Sequence, residues 1–160
     1  MKNRISALLL LSVLALSCDR NDDDSSSTNN TTLITRSSWQ YESGGIDQDR
    51  NGTIDITLES TGQVQPCVLD NTGTFQAGGA GIADEGATKC SPTLPQTTPF
   101  TWSFASSETV LTVSGGGLFG QGGNFKIQSL TATRLSLSKD TTLAFGGISF
   151  PASLILNLKH

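Results

Sequence analysis

The sequence predicts an all-β domain, and more specifically a small up-and-down antiparallel β-barrel that follows a short N-terminal helical turn. Charged residues make up only 15% of the 160-residue chain and there are 17 glycines, a composition that favours short strands and turns. Segments in which apolar and polar residues alternate recur at hairpin spacing, which indicates about eight to ten strands, each with one buried face. Closure of such a sheet removes its exposed edges.

The first 17 residues have the pattern of an export signal. Lys2 and Arg4 precede an apolar run over residues 5–16, which is too short for a permanent membrane-spanning helix. The tetrapeptide ALSC that ends at Cys18 resembles a lipobox, although Ala15 stands where that motif usually has Leu. Acyl chains such as palmitate on Cys18 would anchor the protein to a membrane. The alternative is an ordinary signal peptide with an incidental cysteine.

Residues 18–32 are predicted to be the lipidated cysteine and a flexible polar tether, and residues 33–160 the barrel domain. The tether segment lacks apolar periodicity and cannot bury a core. Asp22, Asp23 and Asp24 resemble the acidic signal that sends some Bacteroidetes lipoproteins to the outer face of the outer membrane; a merely solubilising cluster is the alternative. We therefore expect an exported protein that is lipid-anchored to the outer membrane, with surface exposure if the acidic signal operates.

Cys67 and Cys90 remain as an even pair once Cys18 is assigned to lipid. Disulfides persist in the oxidising surroundings of exported proteins, so a Cys67–Cys90 bridge is predicted. Two free thiols or a metal pair are the competing interpretations. A zinc site is not expected because His160, at the C-terminus, is the single histidine of the chain.

The strands are predicted in order from alternating apolar residues. These residues are Trp39 and Tyr41, then Ile54, Ile56 and Leu58, then Val64 and Val68, then Phe75, then Phe100, Trp102 and Phe104, then Leu111 and Val113, then Phe125 and Ile127, then Leu135 and Leu137, and finally Leu154, Leu156 and Leu158. Residues 70–73 are predicted to form a hairpin turn. The glycine-rich residues 115–120 are predicted to form a long flexible connection.

Several short motifs occur in an order that resembles the lipocalin-like domains of Bacteroidetes lipoproteins. They are Trp39 after the helical turn, an Asp/Asn/Gly loop, Cys67 followed by Asp70, Asn71 and Phe75, and then the stretches GATKC and FTWSF. The resemblance extends from about Leu33 to the end of the chain. It implies an up-and-down barrel with room for an internal cavity, and it implies no enzymatic residues.

Residues 47–55, DQDRNGTID, resemble the first nine positions of an EF-hand loop. Oxygen ligands at alternate residues and a glycine at the bend suit a calcium ion. The predicted ligands are Asp47, Asp49, Asn51, Thr53 and Asp55. The pattern departs from the EF-hand at its last place, where Leu58 stands and Glu59 comes one residue late. A polar turn with solvated carboxylates is the alternative.

The composition and motifs favour a non-catalytic protein. No nucleophile, base or metal set with catalytic spacing is visible, and we expect no enzyme activity. The net charge of −4 becomes −6 when Lys2 and Arg4 leave with the leader, so no nucleic acid partner is expected. Trp39, Phe75, Trp102, Phe104 and Phe125 could line an apolar pocket for a small hydrophobic ligand. Ordinary core filling is the alternative, in which case the protein would be an accessory envelope lipoprotein that acts through protein partners.

Overall fold

A computed structural model describes residues 29–160, without the side chain of Phe145. The elements are α1 (Asn30–Ile34), β1 (Trp39–Asp47), β2 (Ile56–Thr57), a 3-10 helix (Pro66–Val68), β3 (Thr72–Phe75), β4 (Ala80–Asp84), β5 (Thr97–Ala105), β6 (Val110–Leu118), β7 (Gln121–Leu130), β8 (Arg134–Phe145) and β9 (Ile148–Lys159). The predicted all-β class and the short leading helix are both confirmed. No helix within the described residues is long and apolar enough to cross a bilayer.

The strands form a closed antiparallel barrel of eight strands, with β2 added at its rim. Strands β3 to β8 each pair with the next strand along the chain, and β1 pairs with β3 on one side and with β9 on the other. The β1–β9 register places Tyr41 opposite Leu158 and Gly44 opposite Leu156. The predicted up-and-down barrel is therefore confirmed, and its closure depends on the first and last long strands.

One end of the barrel is closed by α1. Asn29 caps this helix by accepting a 2.7 Å hydrogen bond from the Thr32 backbone N–H. Ile34 is fully buried, and its carbonyl accepts a 2.8 Å hydrogen bond from the Trp39 indole. The helix begins three residues before the predicted domain start at residue 33, because Asn29 supplies the cap that favours a helix start.

The two ends of the barrel differ in the segments they carry, and we name them from this difference. The closed end carries α1, the turns at residues 106–109 and 131–133, and the C-terminus. The open end carries residues 48–71, residues 85–96, and the turns at residues 119–120 and 146–147. The long irregular segments of the chain are thus gathered at the open end.

The structure corrects three local predictions. The strand predicted around Ile54 to Leu58 shrinks to Ile56–Thr57, because Ile54 folds back over Gly45, where a Cβ would lie 2.1 Å from the Ile54 side chain. Residues 115–117 lie inside β6 and are not a flexible connection. Thr98 approaches so closely that a Cβ on Gly116 would lie 2.1 Å from it. Residues 72 and 73 belong to β3, and a 3-10 helix precedes them, so no hairpin turn forms there.

The predicted disulfide is confirmed. Cys67 of the 3-10 helix is bonded to Cys90 of the β4–β5 connection, 23 residues away. Cys67 is buried. The bridge therefore joins two irregular segments of the open end that the ladder hydrogen bonds of the barrel do not hold together.

Removal of this bridge is expected to destabilise the protein. The variant Cys67→Ala/Cys90→Ala should lower the free energy of unfolding by roughly 3 kcal/mol, because the unfolded chain regains the freedom of a loop of that length. Urea denaturation of both proteins measures the difference, with Ser91→Ala as a matched control in the same connection. An unchanged unfolding midpoint would contradict a stabilising role for the bridge.

Candidate functional site

The aromatic residues predicted to line a ligand cavity lie mainly in the packed core. Trp39, Phe75 and Phe125 are at most 1% exposed and Trp102 is 8% exposed, while Phe104 is partly buried against them. The Phe75 and Trp102 rings meet edge to face at 5.5 Å, and Trp102 meets Phe104 in the same way at 5.4 Å. These contacts are typical of core packing. The geometry favours core filling for these five residues.

Two hydrogen bonds fix the Trp102 indole within this core. Its Nε1–H is shared between the carbonyls of Gln76 and Ala80, at 3.1 and 2.9 Å. Gln76 follows β3 and Ala80 begins β4, so the polar edge of the indole has protein partners at both ends of the β3–β4 turn. The Trp102 ring is therefore held in place as a structural element of the barrel.

A small apolar pocket lies at the open end, directly above the core. Its volume is about 150 Å³. It is lined by Tyr41, Leu58, Gln63, Val64, Val68, Phe119, Gln121, Leu154 and Leu156. Two glutamines contribute amide groups to its wall, and the remaining lining side chains are aliphatic or aromatic. We call this site the mouth pocket.

Phe119 separates the mouth pocket from a second pocket of about 330 Å³. Phe119 and Val68 line both of them. Phe119 lies in the tight β6–β7 turn with a φ of 51°, followed by Gly120 with a φ of 75°. A two-residue hairpin loop of this kind requires a positive φ at both of its positions, and a bulky residue rarely adopts this left-handed conformation.

Tyr41 provides a polar group at the floor of the mouth pocket. Its hydroxyl donates a 2.6 Å hydrogen bond to Glu59 Oε1. Burial raises the pKa of Tyr41 well above its usual range, and the hydrogen bond to Glu59 and the negative charge of Glu59 raise it further. The phenol is thus a neutral, oriented donor, and the Phe119 ring lies edge-on to it at 6.3 Å.

The Tyr41 pKa can be measured directly because the chain contains one tyrosine. Tyrosinate absorbance should remain absent from the folded protein at pH values where the unfolded protein, with a pKa near 10.0, is already ionised. The raised pKa means that Tyr41 contributes stability below pH 10.0 and loses this contribution as the pH rises towards the folded pKa.

The variant Glu59→Gln should lower the Tyr41 pKa without restoring the ordinary value, because burial, the largest cause of the shift, remains. Glu108→Gln, in the β5–β6 turn at the other end of the barrel, is the control and should leave the titration unchanged. Titration of Tyr41 at its ordinary pKa in the folded wild-type protein would contradict a buried, hydrogen-bonded phenol at the pocket floor.

The predicted calcium loop folds onto the outer wall of the barrel. Asp47 is the last residue of β1, lies opposite Ser153 of β9 and is only 1% exposed. The loop that follows it borders a surface cleft that also includes Lys126 and Ser138 of neighbouring strands. Arg50 at the tip of the loop forms a 2.9 Å ion pair with Asp140 of β8. The loop is therefore attached to the barrel at both its base and its tip.

Backbone amides of the loop surround the Asp47 carboxylate. Gly52 N–H donates at 2.8 Å and Asn51 N–H at 3.1 Å. Burial raises the Asp47 pKa, but these hydrogen bonds outweigh burial and hold the pKa below its ordinary value. Asp47 therefore stays ionised at neutral pH, and the stability it contributes is lost as the pH falls through the lowered pKa.

The structure brings together three of the predicted calcium ligands. Carboxylate oxygens of Asp47, Asp49 and Asp55 lie within 4.8 Å of one another, a separation that oxygen ligands of one calcium ion can have. Asn51 uses its amide oxygen to accept a 2.8 Å hydrogen bond from Thr53 N–H. Glu59, which would have to replace the missing last ligand, is engaged by Tyr41. The loop thus has an incomplete EF-hand set.

Calcium binding at this loop stays a prediction. Isothermal titration should give one site of roughly millimolar affinity, which is typical of extracellular calcium modules. Asp49→Ala should abolish the binding heat because it removes an exposed candidate ligand, while the backbone hydrogen bonds from Asn51 and Gly52 to Asp47 remain. Glu108→Gln is the control. The absence of a binding heat at several millimolar calcium would contradict a calcium site at this loop.

The remaining predicted site residue, Cys18, lies outside the described residues, as does the leader. No known family model matches the chain, and a comparison with characterised proteins finds no significant similarity. Sequence reasoning missed Phe119 as a site residue because it stands among glycines that were assigned to a flexible connection. The signal that could have identified it is the pair of large apolar residues, Leu118 and Phe119, within that glycine-rich stretch.

Proposed function

We propose that this protein is an exported, lipid-anchored lipocalin-like barrel that binds a small apolar molecule at its open end. The mouth pocket carries this proposal. It is apolar, it lies directly above the filled core, and the Tyr41 hydroxyl supplies one fixed polar group at its floor. Small-molecule sites combine a mainly apolar wall with a few placed polar groups in this way.

The size of the ligand that fits depends on the position of the Phe119 ring, which separates the two pockets. The mouth pocket alone, at about 150 Å³, is smaller than the roughly 300–1,000 Å³ of most small-molecule sites. Rotation of the Phe119 ring would join it to the neighbouring pocket of about 330 Å³. Because the Tyr41 hydroxyl already donates its proton to Glu59, its oxygen can only accept a hydrogen bond from a ligand. The ligand class is therefore a compact, largely apolar molecule with one hydrogen-bond donor for the Tyr41 oxygen.

The membrane anchor and the ligand site would lie at opposite ends of the domain. The chain enters α1 at Asn29, at the closed end, whereas the mouth pocket is at the open end. A lipid on Cys18 would therefore attach the closed end to the membrane and leave the pocket facing away from it. The lipobox-like ALSC sequence and the apolar leader support this anchoring.

Mass spectrometry of the full chain purified from its own host tests both the proposed lipid anchor on Cys18 and the presence of a bound small molecule. The denatured mass should correspond to loss of residues 1–17 and addition of acyl chains to Cys18. The native mass per chain should exceed the denatured mass by one small molecule. An unacylated mass would contradict the anchor, and a native mass without an addition would contradict an occupied pocket.

A neutral fluorophore, 1-aminoanthracene, tests the pocket itself. Wild-type protein should bind one equivalent, and Val64→Asp should weaken binding about tenfold, or ~1.4 kcal/mol, because the carboxylate would be desolvated in the pocket. Ile82→Asp is the matched control, since Ile82 is 38% exposed on β4 and lies outside the mouth pocket. Equal affinities of all three proteins, or no saturable binding, would contradict the proposal.

A second candidate function is an accessory envelope lipoprotein that acts through protein partners. The packed aromatic core favours it, because the side chains of Trp39, Phe75 and Phe125 are buried against one another and their neighbours in the interior. The fluorophore experiment distinguishes the two candidates, since an accessory protein has no reason to bind a small apolar probe with one-to-one stoichiometry.

A further inference from the structure

The β8–β9 hairpin extends beyond the rim of the barrel. β7 makes its last pairing with β8 at Lys126 and Ser138, and β1 makes its last pairing with β9 at Asp47 and Ser153. Past these positions β8 and β9 continue to pair with each other up to the turn at residues 146–147. Asp140 is still attached to the barrel wall by ion pairs with Arg50 and Lys126. Residues 141–152 therefore form a two-stranded extension, which we call the ribbon.

The two edges of the ribbon differ. On the β8 side, Lys139 fills the space that opens where β7 diverges from β8. Its Nζ donates a 2.6 Å hydrogen bond to the Gly122 carbonyl and lies 5.7 Å from the Phe125 ring centroid. Beyond Lys139 the outer edge of β8 has no strand partner within the described part of the chain. The edge of β9 contains Pro151, which has no N–H to donate and disfavours pairing there. The β8 edge is thus the one suited to accept another strand.

The surface of the ribbon is apolar and uncharged. Ile148 is 60% exposed and Phe150 is 49% exposed. No charged residue occurs between Asp140 and Lys159 in a chain whose net charge is −4. Both of these side chains belong to β9, and the β8 edge beside them exposes Thr142 and Ala144. An open strand edge without charged residues is a site of strand pairing with another chain.

Two other occupants fit this edge poorly. The hydrocarbon of a bilayer does not accommodate an open sheet edge, because the free N–H and C=O groups would lose their hydrogen bonds. The chain's own residues 19–28 are all polar and enter the described structure at the opposite, closed end. They provide no apolar side chain to cover Ile148 or Phe150.

We propose that the β8 edge of the ribbon pairs with the β8 edge of a second copy of this chain. A two-fold axis beside Leu143 would align the two edges antiparallel and place Thr142 of one copy next to Ala144 of the other. The uncharged edge allows two copies of an acidic protein to meet without like-charge repulsion. Pairing would satisfy the free backbone groups of both ribbons at once.

Site-specific photocrosslinking in the intact host cell identifies the occupant. The full chain with benzoylphenylalanine at position 143 should yield a crosslinked product of twice the monomer mass that contains only this protein. The same group at position 149, on the β9 side, is the matched control and should yield much less of it. A crosslink to a different protein or to lipid, or no crosslink, would overturn the proposal.

Charged substitutions at positions 142 and 144 independently test the proposed register between the β8 edges of the two copies. Thr142 and Ala144 are both exposed, so substitution there leaves the core intact. Thr142→Lys/Ala144→Lys should abolish the dimer by placing lysines of the two copies side by side, and Thr142→Lys/Ala144→Glu should restore it. Ser149→Lys adds one charge to the neighbouring strand and should retain the dimer. Equal dimer fractions for the two double variants, measured by native mass spectrometry of the full chain, would refute this register.

Discussion

The pairing of β1 with β9 is the constraint on which the rest of the structure depends. It joins the first long strand of the domain to the last and closes an antiparallel sheet of eight strands into a barrel. At the closed end the Trp39 ring stacks on His160 at 3.8 Å, and His160 N–H donates to the Thr133 carbonyl. Without this pairing β1 and β9 would each present an open edge, and the apolar inner face would be exposed to water.

Closure of the barrel also explains why the candidate sites lie at its open end. A small barrel is filled by the side chains that alternate inward, and here two tryptophans and several phenylalanines occupy that volume. The tight turns and α1 seal the closed end, so the long connections between strands are left to the open end. The disulfide, the mouth pocket and the Asp47 loop all belong to those connections or to the strand ends beside them.

The sequence was sufficient for the features that depend on local patterns. Alternation of apolar residues predicted the long strands that contain Trp102, Leu135 and Leu156, and the even cysteine pair predicted the disulfide. The sequence also predicted that the side chains of the Asp47 loop lie close together. This prediction was possible because these side chains contact residues that are only a few positions away in the chain.

Features that depend on distant contacts could not be predicted in this way. Ile54 has the spacing of a strand residue, but it covers Gly45 of β1 instead. Alternation shows that Phe75 and Phe125 face inward, but it does not show whether the enclosed volume is filled. The position of the Phe119 ring could not be predicted because it packs against Tyr41, which is far away in sequence.

Residue-resolved hydrogen–deuterium exchange of the full chain tests barrel closure most directly. If β1 and β9 close the barrel, the amides of residues 43–46 and 154–158 will exchange only through global unfolding, at the rate of the interior strand residues 111–113. Fast exchange at residues 43–46 while residues 111–113 remain protected would mean that β1 is not held by β9. The sheet would then be open, which would contradict a closed barrel.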